Sequence, residues 1–296
     1  MNAADVMAAT VADLVAAIEA GAGEWRMPWT HDGTHGVPRN TVTGQTYRGG
    51  NVLALWAVSA LQGWGHEWAT FKQWQKIGAT VRKGERGTHC IYWNVKPVET
   101  TTDVDPDTGD EITLTTGPRV RWARAFVVFN AAQVDGHTST APVQAEPEPG
   151  EVADWFARIP AHVVWGGGNP CFIPSQDRVL MPAAAAFTTE AARWGTLAHE
   201  LGHWTGHPDR LARVYGKRFG DDAYAAEELV AELSAAFTCA TLGIPTQSRE
   251  DHAPYVAHWC RVLKADPSIL WSIASKAQAA TDHLASNQPA EAEVAA

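Results

Sequence analysis

The sequence predicts an α+β fold arranged in two domains, and three observations lead to this prediction. Residues 138–150, TSTAPVQAEPEPG, are rich in Pro, Ala and Glu, a composition typical of an extended linker. Before this segment, strand-like and helix-like stretches are mixed, which predicts an α+β domain with a small antiparallel sheet. After it, the chain is mainly helical, with one short strand pair. The predicted parts are therefore 1–137, the linker, 151–285 and a disordered tail over 286–296.

The first half contains three predicted helices. The first is based on apolar residues at helical spacing before Gly21, namely Val6, Val11, Leu14, Val15 and Ile18. The second follows Asn51, whose side chain is the expected N-cap. The third begins at Thr70, where Thr70 and Gln73 fit a capping box, and it ends at Gly78.

Strands of the predicted antiparallel sheet occupy 80–82, 88–95 and 120–129. The first two flank the turn KGERG at 83–87, and the third is rich in Val, Phe and Trp. The acidic stretch 103–111 contains Pro and Gly, and it is predicted to be an exposed hairpin tip.

The second half is predicted to hold a strand pair followed by helices. The strand pair is expected at 163–181, where the segment CFIPSQDRVLMP suggests two short strands. Four helices follow, at about 188–207, 222–242, 250–264 and 267–285. Asp266 and Pro267 suit the N-cap and first position of the last helix.

Charge and cysteine usage exclude several classes of protein. The chain has 296 residues and a formal net charge of −10, so its overall field does not steer it to nucleic acid, and DNA binding requires a local basic patch. Its four cysteines are far apart and form no CxxC pair, which argues against a Cys-ligated zinc site and a disulfide framework. The N-terminus is not a signal peptide, and no apolar run reaches membrane-spanning length. We therefore expect a soluble cytoplasmic protein with no membrane partner.

The segment HELGH at 199–203 carries the strongest chemical signal in the chain. His199 and His203 are four residues apart on a predicted helix, so their rings project from one face. Catalytic zinc sites combine such nitrogen donors with a position left for water. Glu200 can take a proton from that water and later give it to a leaving amine. The pattern predicts a zinc metallopeptidase site with Glu200 as its catalytic base.

A third metal ligand is expected from the helix at 222–242. Glu228 and Glu232 are four residues apart and share a face, so one can bind the metal while the other accepts a hydrogen bond from a ligand histidine. We favour Glu228 as ligand and Glu232 as its supporting carboxylate. Glu227 is expected to point elsewhere and to be solvated.

Two other residues compete for the third position, and one more is a candidate for catalysis. Asp209 fits the spacing HExxHxxGxxD, although no methionine follows the motif as a Met-turn would require. His207 lies another four residues on, where a continuous helix does not easily bring a third ring to one ion. Tyr224 is one turn before Glu228 and could stabilise an oxyanion, with packing as an equally good use for its ring.

A basic and aromatic region in the first half points to nucleic acid. Five positive charges fall within fifteen positions and are opposed only by Glu85, namely Lys72, Lys76, Arg82, Lys83 and Arg86. Aromatic residues, Trp68 and Trp74 among them, alternate with these charges. Cations with aromatic platforms suit sequence-tolerant binding of single strands, although composition alone favours a core position for the tryptophans.

The second half resembles a known family. LAHELGHWTGHPDRLAR at 197–213 and YAAEELVAELSAAF at 224–237 are similar to the metallopeptidase domain of the ArdC antirestriction proteins, which plasmids and phages carry. The resemblance implies a zincin-like, gluzincin-type domain holding Zn²⁺, or Mn²⁺ or another divalent ion. It also implies His199, His203 and Glu228 as ligands and Glu200 as the catalytic residue.

The first half resembles the N-terminal domain of the same family, which is associated with single-stranded DNA binding. The similar segments begin with Arg39 to Asn51 and include WATFK at 68–72, GATVRKGERG at 78–87 and FVVFN at 126–130. The expected DNA-contacting residues are Arg39, Arg48, Lys72, Lys76, Arg82, Lys83, Arg86, Trp68 and Trp74. Arg39 and Arg48 suit turn or cap positions equally well.

Together these features predict an antirestriction protein that binds single-stranded DNA and protects incoming plasmid or phage DNA from host restriction. Its metallopeptidase site would act on a protein, and restriction machinery is one candidate class. Two alternatives are a non-catalytic DNA-coating protein with a structural metal site and a host protease of DNA–protein crosslinks. The presence of Glu200 beside the ligands favours catalysis, because a structural site needs no general base.

Overall fold

A computed structural model gives the structure of the chain. It describes residues 1–20, 36–96, 99–104, 111–116, 119–139, 147–148, 150–214, 222–246 and 253–289. The predicted α+β fold is confirmed. Most of the predicted linker, the hairpin tip at 105–110 and the end of the predicted tail lie outside the described residues.

The first half is built from three helices and eight strands among the described residues. In chain order they are α1 (Ala3–Ala20), β1 (Arg39–Asn40), α2 (Gly50–Gln62), β2 (Glu67–Ala69), α3 (Phe71–Lys76), β3 (Thr80–Val81), β4 (Thr88–Lys96), β5 (Glu99–Val104), β6 (Glu111–Thr116), β7 (Arg119–Asn130) and β8 (Val134–Asp135). The largest sheet has the order β1-β2-β7-β4, with the long antiparallel pair of β4 and β7 on one side. Separate antiparallel pairs join β3 with β8 and β5 with β6.

The observed helix caps confirm the predicted start of α3 and correct the predicted cap of α2. Thr70 caps α3, and Thr70 and Gln73 form the predicted capping box. The prediction that Asn51 caps α2 is wrong, because the cap position is Gly49 and Asn51 lies in the first turn. The Asn51 side chain instead bonds both backbone groups of Ile91 on β4, at 2.8 and 2.9 Å.

The second half is mainly helical, with one small sheet. Its described elements are α4 (Glu151–Ala157), β9 (His162–Gly167), β10 (Cys171–Ile173), β11 (Arg178–Pro182), α5 (Glu190–Trp204), α6 (Asp222–Leu242), α7 (Ala253–Ala265) and α8 (Ser268–Ala285). The expected strand pair is a three-stranded sheet of order β10-β11-β9, in which β11 is antiparallel to β10 and parallel to β9. No helix in the described ranges is both long and apolar enough to cross a membrane.

The two halves share one apolar core. This core combines buried residues of α1 and α2 with buried residues of α6 and α8, for example Leu53 with Leu233 and Leu270. A second core lies within the C-terminal half, where α5 and α6 pack on β11. The metal-site helices are therefore held between a local core and a core that includes the N-terminal helices.

The segment Arg48 to Asn51 joins α2 to α8, and we call it the RGGN joint. A Cβ atom on Gly50 would lie 2.2 Å from the ring of Trp271, so only glycine permits this approach. The Gly49 amide donates to the Gln278 side chain at 3.0 Å, and Arg48 forms an ion pair with Asp282. Arg48 thus has a structural partner in α8, although its side chain keeps about half of its surface exposed.

Candidate metal centre

The close crossing of α5 and α6 positions the candidate site. Thr189 caps α5 by accepting a hydrogen bond from the Ala192 amide at 3.0 Å. At Gly202, within HELGH, a Cβ atom would lie 2.4 Å from Ser234 Oγ and 3.0 Å from Ala231 Cα. Because only glycine lets the two helix backbones approach this closely, Gly202 brings the histidines of α5 within reach of the carboxylates of α6.

Three side chains from these helices converge in the way a metal ion requires. Donor atoms of His199, His203 and Glu228 all lie within 4.8 Å of one another. The two Nε2 atoms lie 3.6 Å and 3.5 Å from the two Glu228 oxygens. Ligands placed about 2.1 Å from a tetrahedral ion are separated by about 3.4 Å. The spacing and chemistry of this donor set therefore fit a divalent metal ion.

A carboxylate lies behind each histidine. Glu232 Oε2 lies 3.5 Å from His199 Nδ1, and Glu227 Oε1 lies 3.3 Å from His203 Nδ1. A carboxylate in this position fixes the tautomer, so that Nε2 is left for the metal. The prediction of a solvated Glu227 is wrong, because Glu227 is buried and faces α5.

Arg213 holds Glu227 in place. Its guanidinium donates to both carboxylate oxygens at 3.0 and 2.8 Å. It also donates to Thr205 Oγ1 at 2.8 Å and to the Gly202 carbonyl at 2.7 Å. Burial alone would raise the pKa of Glu227, but the hydrogen bonds from His203 and Arg213 lower it. Sequence reasoning missed Arg213, whose only signal is a cation shortly after the histidine motif.

Glu228 is kept in its charged form by its neighbours. Burial alone would raise its pKa, but the hydrogen bond from His199, the charges of both histidines and a hydrogen bond from Tyr224 lower it to about 2. A deprotonated carboxylate is the form that binds metal. Tyr224, predicted as an oxyanion donor, therefore contacts the proposed ligand Glu228 directly.

Glu200 is buried on α5, the helix that packs against the edge strand β10. Glu200 is 5% exposed. The burial of the Cys171 thiol on β10 and the negative charge of Glu200 both raise the pKa of that thiol. Among the described residues, the outer edge of β10 pairs with no other strand.

The competing ligand candidates lie away from the donor cluster. α5 ends at Trp204. His207 and Asp209 lie in the turn that follows and do not continue the helix. The Asp209 side chain is 84% exposed and lies 3.5 Å from His207 Nδ1. Neither residue belongs to the group of converging donors.

Comparisons with known proteins agree with this arrangement. Residues 4–129 match the family described as the N-terminal domain of anti-restriction factor ArdC, and residues 150–276 match a zincin-like metallopeptidase family. The uncharacterized protein y4eC of Sinorhizobium fredii is 40% identical over 96% of this chain and 92% of its own length. The metal-free crystal structure of the antirestriction protein ArdC from plasmid R388 is 33% identical, with a TM-score of 0.73 over 96% of this chain and 97% of that chain.

The chain belongs to the ArdC family of antirestriction proteins. A manganese(II)-bound structure of the R388 ArdC protein has a TM-score of 0.75 at 29% identity, over 97% of this chain and 99% of that chain. Together with the zincin-like domain and the His-His-Glu cluster, this relative indicates binding of a divalent metal. The DNA primase TraC of Escherichia coli is 34% identical over 91% of this chain, which spans only 26% of that protein.

Four of the basic residues predicted for the ArdC N-terminal domain have free charges at the surface. They are Lys72, Lys76, Lys83 and Arg86, which are exposed and form no ion pair within the described ranges. Arg82 is exposed too, but it is paired with Glu85 at 2.9 Å and Asp135 at 3.6 Å. Arg39 lies 3.6 Å from the buried Glu67. Arg82 and Arg39 therefore have structural partners.

The two predicted stacking tryptophans are not at the surface of this ArdC-family chain. Trp68 and Trp74 are both 0% exposed. Trp68 packs with Leu55 and Cys90, and the Trp74 indole donates to the Phe129 carbonyl at 3.0 Å. A ring without exposed surface cannot stack on a base, so both residues are corrected to core positions.

Proposed function

We propose that this antirestriction protein is a metal-dependent peptidase that binds single-stranded DNA. The observation that carries the proposal is the convergence of His199, His203 and Glu228 beside the buried Glu200. A structural metal site needs ligands, but it has no use for a general base beside them.

Each of these residues has a distinct role in the proposed chemistry. His199, His203 and Glu228 would hold the ion, and Zn²⁺ is our candidate because two imidazoles and a carboxylate suit it. A bound divalent ion would polarise a substrate carbonyl and acidify water. Glu200 would accept the proton of the attacking water and deliver it to the leaving amine. Tyr224 would orient Glu228 through the hydrogen bond that they share.

The edge strand β10 indicates the form of the substrate. An unpaired strand edge can add an extended peptide through backbone hydrogen bonds, and β10 packs against α5, which carries Glu200. We therefore propose that the substrate is an extended segment of a protein chain. Restriction machinery is the proposed target class, since the family is antirestriction.

DNA would bring the peptidase to its targets. The exposed cations at Lys72, Lys76, Lys83 and Arg86 suit phosphate binding, which would weaken as salt is added. Tethering to incoming plasmid or phage DNA would raise the concentration of the peptidase near proteins that attack that DNA. A relative named as a DNA primase is consistent with action at DNA.

The decisive experiment separates metal binding from catalysis. Glu200→Gln removes the proposed base and leaves the three ligands in place. We expect this variant to keep the wild-type metal content, measured by atomic absorption. Its rate of cleavage of an unfolded protein substrate should fall by more than about 100-fold.

Protection of transferred DNA from restriction is then measured in cells for the same variant. Loss of protection supports a peptidase mechanism. Full protection by Glu200→Gln would instead support the non-catalytic coating protein, and an unchanged cleavage rate would contradict the role assigned to Glu200.

A further inference from the structure

Two aromatic rings are exposed side by side on the N-terminal sheet. Tyr92 on β4 is 55% exposed and Trp122 on β7 is 50% exposed. Their ring centroids are 5.6 Å apart, with an interplanar angle of 40°. Because exposed rings contribute little to the core, a pair of them at one place on a surface indicates an interaction site.

The register of β4 and β7 places a cation beside the rings. Tyr92 is opposite Arg124, and Trp122 is opposite Asn94. Arg124 is exposed and forms no ion pair within the described part of the chain. Trp122 and Arg124 are two residues apart on one strand and therefore share a face. We call Tyr92, Trp122 and Arg124 the aromatic ledge.

The ledge is a fixed feature of the sheet. On the opposite face of the same strands, Ile91, Ala123 and Ala125 pack against the core shared by the two halves. Further along the ledge face, Cys90 and Phe126 are covered by the cluster around Leu55 and Trp68. The ledge begins where this cover ends, so the rings point outward without any rearrangement.

We propose that the aromatic ledge is the base-stacking surface for single-stranded nucleic acid, an inference that rests on the proposed DNA-binding function. Ring faces stack on any base, and an adjacent free guanidinium matches the phosphate charge. Arg86 precedes β4, so its Cα atom lies at most about 22 Å from that of Tyr92. A short single strand could therefore contact both. A purely apolar protein partner fits less well, because Arg124 and Asn94 interrupt the patch.

The test uses the full-length chain and a fluorescein-labelled oligothymidine of about 20 nucleotides, a length that exceeds most single-domain site sizes. We expect Trp122→Ala and Tyr92→Ala each to weaken binding by about 10-fold in fluorescence anisotropy. Trp122→Phe keeps a stacking ring, so it should stay within about threefold of wild type. Arg124→Gln should reduce the slope of log affinity against log salt by about 0.7.

A matched control is Trp165→Ala, which removes an exposed tryptophan from the C-terminal half, where the side chain is 41% exposed. It should bind oligothymidine as wild type does. Thermal melts of every variant check the fold, which should be unaffected because the ledge side chains are half exposed.

Each outcome is decisive. If wild type binds oligothymidine and the ledge variants bind equally well, the ledge proposal is overturned and the DNA-binding proposal stands. If wild type does not bind, both proposals fail. Loss of binding in the alanine variants with rescue by Trp122→Phe supports stacking, whereas equal loss in Trp122→Phe would contradict it.

Discussion

The candidate metal centre and the proposed nucleic-acid surface of the N-terminal half are organised in opposite ways. In the candidate metal centre, a carboxylate lies behind each histidine: Glu232 behind His199, and Glu227, itself held by Arg213, behind His203. On the N-terminal surface, the exposed cations Arg86 and Arg124 have no ion-pair partner among the described residues. An ion needs fixed donors, whereas a flexible polyanion is bound by cations that are free to reach it.

The sharpest test of this contrast is removal of a proposed metal ligand. Glu228→Ala should lower the affinity for Zn²⁺ by more than about 100-fold, since loss of a supporting group alone costs 10–100-fold. Competition with a chromophoric chelator measures this change. The increase in melting temperature on metal addition should disappear as well. Asp209→Ala is the control, and a loss of affinity there would restore Asp209 as a ligand.

A smaller loss of metal affinity is expected when the residues behind the proposed ligands are changed. Arg213→Met combined with Glu227→Gln removes the pair that holds His203 without leaving a lone buried charge. Zn²⁺ affinity should fall by about 10–100-fold, and the visible spectrum of the Co²⁺-substituted protein should change as the His203 ring loses its orientation.

Arg210→Met is the matched control for that variant. Arg210 follows the same motif, but it pairs with Asp177, and its Cζ lies 3.9 Å from the centre of the Trp204 ring, whereas Arg213 bonds to Glu227. Its loss should change the free energy of unfolding and not the metal affinity. Equal losses of affinity in both variants would show that the Arg213 effect is one of general stability.

Two glycines of α5 can test the close crossing of α5 and α6. Gly202→Ala should lower the free energy of unfolding by about 1–3 kcal/mol, because the added Cβ would overlap Ser234 and Ala231. Gly195→Ala meets nothing within 4 Å in the same helix and should raise it by up to about 1 kcal/mol. Urea unfolding of both variants measures the difference, and effects of the same sign would contradict the crossing geometry.

The smallest effect is expected on the open surface. Arg86→Gln removes a free cation, so the slope of log affinity for oligothymidine against log salt should decrease by about 0.7. Arg82→Gln is the control, because Arg82 is already paired with Glu85 and Asp135. Salt titrations by fluorescence anisotropy compare the two, and equal slopes would indicate that neither residue binds phosphate.

The parts of the site that could be predicted are those that depend on spacing within one helix. His199 and His203 are one turn apart in any helix, and the α3 capping box is equally local. The roles of the three carboxylates on α6 could be predicted only as far as spacing within that helix determines them. The helix pattern identified Glu228 and Glu232, but the role of Glu227 depends on where α5 crosses α6 and on Arg213 from a loop.

Burial was the other property that local patterns did not determine. Trp68, Trp74, Tyr92 and Trp122 occur in similar strand-like or helical surroundings, yet two are in the core and two are at the surface. The difference arises from which face of β2, α3, β4 or β7 is covered by another element. The Asn51 error has the same origin, because Asn51 bonds β4 across space instead of its own helix.

The RGGN joint has a consequence for how the molecule loses its structure. Since Gly50 packs on Trp271 and the helices on both sides contribute to one core, melting of either half would uncover apolar surface of the other. We therefore expect a single cooperative transition for the chain. A cation captured by α5 and α6 would then also protect the N-terminal half from heat, although none of the proposed metal ligands belongs to that half.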